Sequence, residues 1–183
     1  EGCDDPEILH EVVQNVRTAG ILTTHSAGNN GPTCSTINTP AAIYAESFTV
    51  GATDSADNLA SISSRGPVTV DGSNRRKPDI SAPGVNIRSC TPGGSYTAMS
   101  GTSMAAPHVA GLVALLISAN PDLRGQVDAL EAIIELSAKP TSTLECFSTG
   151  VPNNLYGWGR IQALEAVKLT VPTLTLEKTA AVE

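Results

Sequence analysis

One block of eleven residues, Gly101-Thr102-Ser103-Met104-Ala105-Ala106-Pro107-His108-Val109-Ala110-Gly111, constrains the fold more than any other part of the chain. It continues into the apolar run that ends at Ile117. Thr102 is a residue type that caps helices through its hydroxyl, so Ser103 is expected in the first turn. There the backbone N–H groups lack helical partners and the macrodipole favours negative charge. Ala105, Ala106, Val109, Ala110, Leu112, Val113, Leu115, Leu116 and Ile117 leave almost no polar face, the pattern of a helix buried all round. Asn120 and Pro121 end it. Periodicity alone fits an ordinary core helix with a serine near its start.

Upstream, Asp5 and Pro6 form an N-cap and first-turn pair, with Ile8, Leu9, Val12, Val13 and Val16 at helical spacing and Gly20 as terminator. Residues 21–24 are a short β-prone run directly after it, so helix feeds strand as in a parallel α/β sheet. That strand opens into Ser26-Ala27-Gly28-Asn29-Asn30-Gly31. In open α/β sheets ligands bind beyond the carboxyl ends of strands, and the small residues here leave room for another backbone. Residues 48–53 and 59–63 are predicted strands, Asp71-Gly72 is a hairpin signal, and Arg75-Arg76-Lys77 is expected to be a solvated loop tip. Val127, Leu130, Ile133 and Ile134 mark an amphipathic helix, and Ile161, Leu164 and Val167 a last one. The Thr-rich stretch from residue 170 to 183 is expected to be a linker or the first strand of a following β-rich module, leaving residues 1–169 as one domain.

The formal charge of −7 disfavours nucleic acid and anionic membranes as partners, since both select clusters of Lys and Arg. No window is expected to reach the ~18 apolar residues of a membrane span. The four cysteines, Cys3, Cys34, Cys90 and Cys146, lack the close spacing of a zinc site, and one or two disulfides in a secreted protein suit them better. Their pairing stays open.

With the block above, Ser26 to Pro32 (SAGNNGP) and Asp79 to Gly84 (DISAPG) make the chain similar to the subtilisin-like serine proteases, the subtilases. The resemblance covers roughly Glu7 to Val167 and implies the C-terminal portion of a catalytic domain with a three-layer α/β fold, a mostly parallel sheet flanked by helices. It implies that Ser103 is the nucleophile and that Asn29 donates to the oxyanion. It further implies that Ser26, Ala27 and Gly28 pair with extended polypeptide substrate and wall the pocket before the scissile bond, with Asn38 at its base. Thr39–Pro40 is implied as a cis bond. Calcium is implied as a cofactor by the resemblance alone, because no Asp, Asn or Glu cluster has recognisable ligand spacing and no metal residues are assigned.

Attack on an amide needs a base, since a free serine hydroxyl is a weak nucleophile at neutral pH. His108 is five residues past Ser103, about 140° round a helix and about 7.5 Å along it, out of reach of the hydroxyl; it is expected to be a buried polar contact. His25 is expected to anchor its loop and His10 to be a surface residue. Neither an Asp-Thr/Ser-Gly nor a His-Gly-Thr-His segment occurs. These 183 residues by themselves are therefore predicted to be inactive, poorly stable and prone to associate, with the upstream half of the domain needed for catalysis. The rival from another class is a catalytically inactive extracellular binding or structural module. A lipase or esterase is disfavoured, because Gly-Thr-Ser-Met-Ala lacks the second glycine of a nucleophile elbow.

Overall fold

The computed structural model describes residues 5–170. Cys3 and the expected linker beyond Thr170 lie outside the described residues.

The polypeptide forms α1 (His10–Thr18), β1 (Thr24–Ser26), β2 (Phe48–Thr53), β3 (Ile80–Pro83), β4 (Ile87–Thr91), β5 (Ser95–Met99), α2 (Thr102–Ala119), α3 (Val127–Leu136) and α4 (Ala163–Thr170), with a short 3-10 turn at Pro121–Leu123. β1, β2 and β3 make a parallel sheet in that order, registered through Thr24–Phe48 and Val50–Ile80. Every residue of β2 is buried, as expected for a central parallel strand covered on both faces. β4 and β5 form a separate antiparallel hairpin, and β5 is exposed along its whole length.

α2 packs on the sheet through Ala105, Ala106, Val109, Leu112 and Leu116, which share the core with Phe48, Val50, Ile80, Ala82, Leu130 and Ile134. The sheet and helix approach closely at Gly84. A Cβ there would lie 2.6 Å from the Ala52 Cβ and 2.8 Å from the Gly101 carbonyl, so only glycine fits. The Gly101 N–H donates to the Gly84 carbonyl at 2.8 Å, which ties the start of α2 to the end of β3.

Several sequence expectations change. α2 is not buried all round, because Pro107, His108, Ala110, Gly111 and Leu115 face outward. At 18 residues it also has the length and apolar content to cross a membrane, contrary to expectation, although its place against the sheet is that of a core helix. α1 begins at His10, later than Asp5-Pro6, and residues 6–9 form turns. Residues 59–63 are not a strand. They fold beneath β2, where the Ala60 N–H donates to the Ala52 carbonyl and the Ala52 N–H donates to Ser63 Oγ. Thr39–Pro40 is trans, with a cis bond at the next peptide, Pro40–Ala41; tertiary context sets such isomers.

The largest reversal is at Lys77, which is not solvated but 1% exposed. Its ammonium donates to the Ser47 carbonyl at 2.5 Å and pairs with Asp79 Oδ2 at 2.6 Å. The same carboxylate oxygen accepts the Thr49 N–H at 2.7 Å, so the buried charge is paired and hydrogen-bonded, the condition for burying it. Arg76 stacks over Trp158 with 5.9 Å to the ring centroid, and Arg75 binds the Ile43 carbonyl and Asp71. A disulfide joins Cys34 to Cys146, while Cys90 is a free, exposed thiol on β4.

Candidate active site

Ser103 is the second residue of α2 and is exposed. Its position in the first turn agrees with the sequence reading, but the cap does not. Gly101 precedes the helix and no side chain caps it. The Thr102 hydroxyl is engaged elsewhere, accepting the Gly28 N–H at 3.2 Å and donating to Asn29 Oδ1 at 3.1 Å. Asn29 Oδ1 also accepts the Thr102 backbone N–H at 2.9 Å.

These bonds orient the Asn29 amide. With Oδ1 held by two donors, the amide nitrogen is left as a donor with no partner among the described residues. The same Thr102 that fixes Asn29 is bonded through its backbone to Ser103, so hydroxyl and amide are coupled at one helix terminus. A helix N-terminus, with unpaired N–H groups and a positive dipole end, suits a developing anion.

The loop that carries Asn29 is braced from below. The Ser64 N–H donates to the Gly28 carbonyl at 2.9 Å, and Ser64 Oγ accepts the Asn30 N–H at 3.0 Å. A Cβ on Gly28 would lie 2.8 Å from Ser64 Oγ. The smallness of Gly28 thus serves an approach by this chain's own residue 64, and its φ of 103° independently favours glycine.

Two depressions flank this terminus. One, of about 430 Å³, is lined by residues 25–30 and 39–42, so Ser26, Ala27, Gly28 and Asn29 share one wall. Asn38 is not among its lining residues; its Oδ1 accepts from the Thr39 hydroxyl at 3.4 Å. The other, of about 350 Å³, lies between Ser103, Met104, Pro107 and His108 on α2 and Ile87, Arg88 and Ser89 on β4.

No imidazole reaches the Ser103 hydroxyl among the described residues. His108 is exposed rather than buried, because α2 turns that face outward, and its Nδ1 donates to the Met104 carbonyl at 2.8 Å. His25 Nε2 bonds the Thr23 hydroxyl at 2.8 Å, and burial followed by the positive charge of Lys77 lowers its proton affinity. His10 is not a free surface residue, since it lies between Glu7 and Glu46 with its ring 5.0 Å from that of Tyr44. Burial disfavours its protonation, yet Glu46 and Glu7 outweigh that and raise its pKa. Among the described residues no three His, Cys, Asp or Glu side chains converge.

Sequence reasoning missed Thr102 as the anchor of Asn29 and His25 as part of the cavity wall. The only available signal was the polar hydroxyl beside Ser103, which reads equally well as a cap.

A sequence model of the Subtilase family matches residues 3–159. The chain is 43% identical over 168 residues to Bacillopeptidase F of Bacillus subtilis (strain 168), covering 88% of this chain and 11% of that protein. It is 38% identical over 160 residues to Subtilisin BL of Lederbergia lenta, covering 87% of this chain and 51% of that protein. The solved structure of the prenylagaramide maturation protease PagA superposes with a TM-score of 0.72 at 25% identity, over 90% of this chain and 56% of that one. The chain therefore spans about half or less of these relatives. The family match extends over most of its length and includes both Asn29 and Ser103: this chain belongs to the Subtilase family.

Proposed function

We propose that this chain supplies the nucleophile and the oxyanion donors of a serine endopeptidase that cleaves polypeptides through an acyl-enzyme on Ser103. The observation that carries this reading is the pair of bonds from Thr102 to Asn29 Oδ1, which leaves the amide nitrogen free beside the turn that holds Ser103. As a carbonyl is attacked, charge builds on its oxygen. The Asn29 amide and the Ser103 backbone N–H are the donors for it, already oriented before reaction. The cavity walled by Ser26, Ala27 and Gly28 receives the side chain before the cut, with Asn38 behind it and outside the lining.

The base that takes the hydroxyl proton, and the carboxylate that orients it, come from polypeptide outside the described residues. The 183 residues alone are inactive in this reading. An extracellular setting belongs to it, supported by the Cys34–Cys146 disulfide, since oxidising compartments preserve such bonds. The isolation of Ser103 from every described imidazole favours one alternative, an inactive extracellular binding module.

Labelling by a fluorophosphonate separates the two. The chain alone stays at the background of Ser103→Ala, whereas a polypeptide extended upstream of Glu1 is labelled at Ser103. Asn29→Ala in that longer protein slows peptide hydrolysis by about 10²–10³, the magnitude known for the same donor in subtilisin, a relative. Failure of the folded, extended protein to label establishes the binding module. Peptidase activity of the 183 residues well above Ser103→Ala removes the need for an outside base.

A further inference from the structure

The cavity beside Asn29 is lined by small and neutral residues with one ionisable exception among those described, His25. His25 lies on β1, paired in register with Thr49 of β2, and its half-buried ring is held by the Thr23 hydroxyl. The opposite wall, residues 39–42, is Thr-Pro-Ala-Ala and carries no charge. The positive charge of Lys77, itself paired with the Asp79 carboxylate, acts on the ring.

Resting on the reading that Ser103 forms the acyl-enzyme, we infer that His25 is a specificity-determining residue, which selects by charge the side chain that enters this cavity next to the scissile bond. A lysine or arginine side chain would lose its hydration there and meet no carboxylate among the described lining residues to offset that cost. Leucine- or glutamine-like side chains carry no such cost. A carboxylate faces the same desolvation while the imidazole is neutral and gains an opposite charge once it is protonated. Burial and Lys77 both hold His25 neutral at pH 7, so acidic side chains enter only at lower pH.

The test uses the protein extended upstream of Glu1, with Ser103→Ala to prevent turnover, and acetylated tetrapeptide amides ending in Leu, Gln, Glu or Lys. Affinities are measured by calorimetry at about pH 7.5 and about pH 5, while the His25 ring is followed by NMR. The Leu and Gln peptides bind at both pH values within about twofold, and the Lys peptide binds at least about tenfold more weakly at both. The Glu peptide gains about tenfold at the lower pH, in step with the His25 titration. His25→Gln and His25→Asn abolish that gain, and circular dichroism shows that both are folded. A Glu gain that survives both variants, or a Lys peptide that binds as well as Leu, overturns the inference and leaves the acyl-enzyme reading in place. Absence of binding by every peptide to the folded, extended protein overturns both.

Discussion

The two faces of α2 have nearly the same chemistry and opposite surroundings. The inner face, Ala105, Val109, Leu112 and Leu116, is fully buried against β1–β3, with Leu112 2% exposed. The outer face carries Pro107, Ala110, Gly111 and Leu115, and Leu115 is 53% exposed. Beside it stands the β4–β5 hairpin, where Tyr96 and Met99 are 60% and 54% exposed. Composition decides that a helix here is apolar, whereas only tertiary contact decides which side of it carries stability. Ser103 lies where the two regimes meet, its turn anchored on one side through Thr102 and open on the other.

The largest expected effect is on the inner face. Leu112→Ala removes packed methyl groups from a site with no solvent to refill it and costs about 2–5 kcal/mol in urea unfolding. A loss below about 1 kcal/mol would mean that the sheet-facing core collapses around the cavity and is no more rigid than the outer face.

Beneath the same core, Glu135 on α3 gives a pH-dependent contrast. Burial, with the carboxylates Asp79 and Glu131 adding to it, pushes its carboxyl up to about 7, against the opposing pull of Arg76 and Lys77. The folded state therefore binds this proton more tightly than the unfolded chain does. Stability from Glu135 is fully present below the unfolded carboxylate range and is lost as pH rises through about 7. Glu135→Gln, which keeps the neutral shape, should stabilise the protein by about 1–2 kcal/mol at pH 8 and hardly at all at about pH 3.5. A gain of equal size at both pH values would remove the electrostatic explanation.

At the junction, Thr102→Val keeps the shape of the side chain and removes the hydroxyl's bonds to Gly28 and Asn29, leaving the backbone N–H bond to Asn29 Oδ1. The expected loss is about 1–2 kcal/mol, with Thr102→Ser recovering most of it. If Val is neutral, the backbone bond from residue 102 to Asn29 and the bracing by Ser64 hold the loop without the hydroxyl.

How much of this was legible depends on how local each cause is. The places of Ser103 and Asn29 could be read because a short motif fixes a serine at a helix start and a small-residue loop at a strand end. The parallel sheet followed from helix feeding strand. Lys77 could not be read, since a run of three basic residues looks solvated and its partners include a carbonyl thirty positions away at Ser47. Thr102 was misread for a related reason. A hydroxyl beside a helix start satisfies a cap or a distant loop equally well, and only the fold brings Asn29 to it. Residues 59–63 had strand composition but make only an isolated bridge, Leu59 to Thr53, because β2 was already flanked by β1 and β3.

The smallest expected effect on stability belongs to the outer face, where it is also the most informative. Leu115→Gln substitutes a polar side chain of similar length at a half-exposed helix position. Both residues are good helix formers, so propensity changes little. Nothing among the described residues loses a packed core neighbour, so the change in unfolding free energy should stay within about 0.5 kcal/mol. The apolar strip from Pro107 through Leu115 should nevertheless drive association, because patches of this kind are what soluble surfaces normally avoid. Sedimentation velocity on the wild-type chain should therefore show concentration-dependent self-association that Leu115→Gln weakens, with Leu112→Ala leaving it intact wherever that variant remains folded. If Leu115→Gln instead costs more than about 1.5 kcal/mol, the outer face is packed in solution, and the contrast between the two sides of α2 disappears.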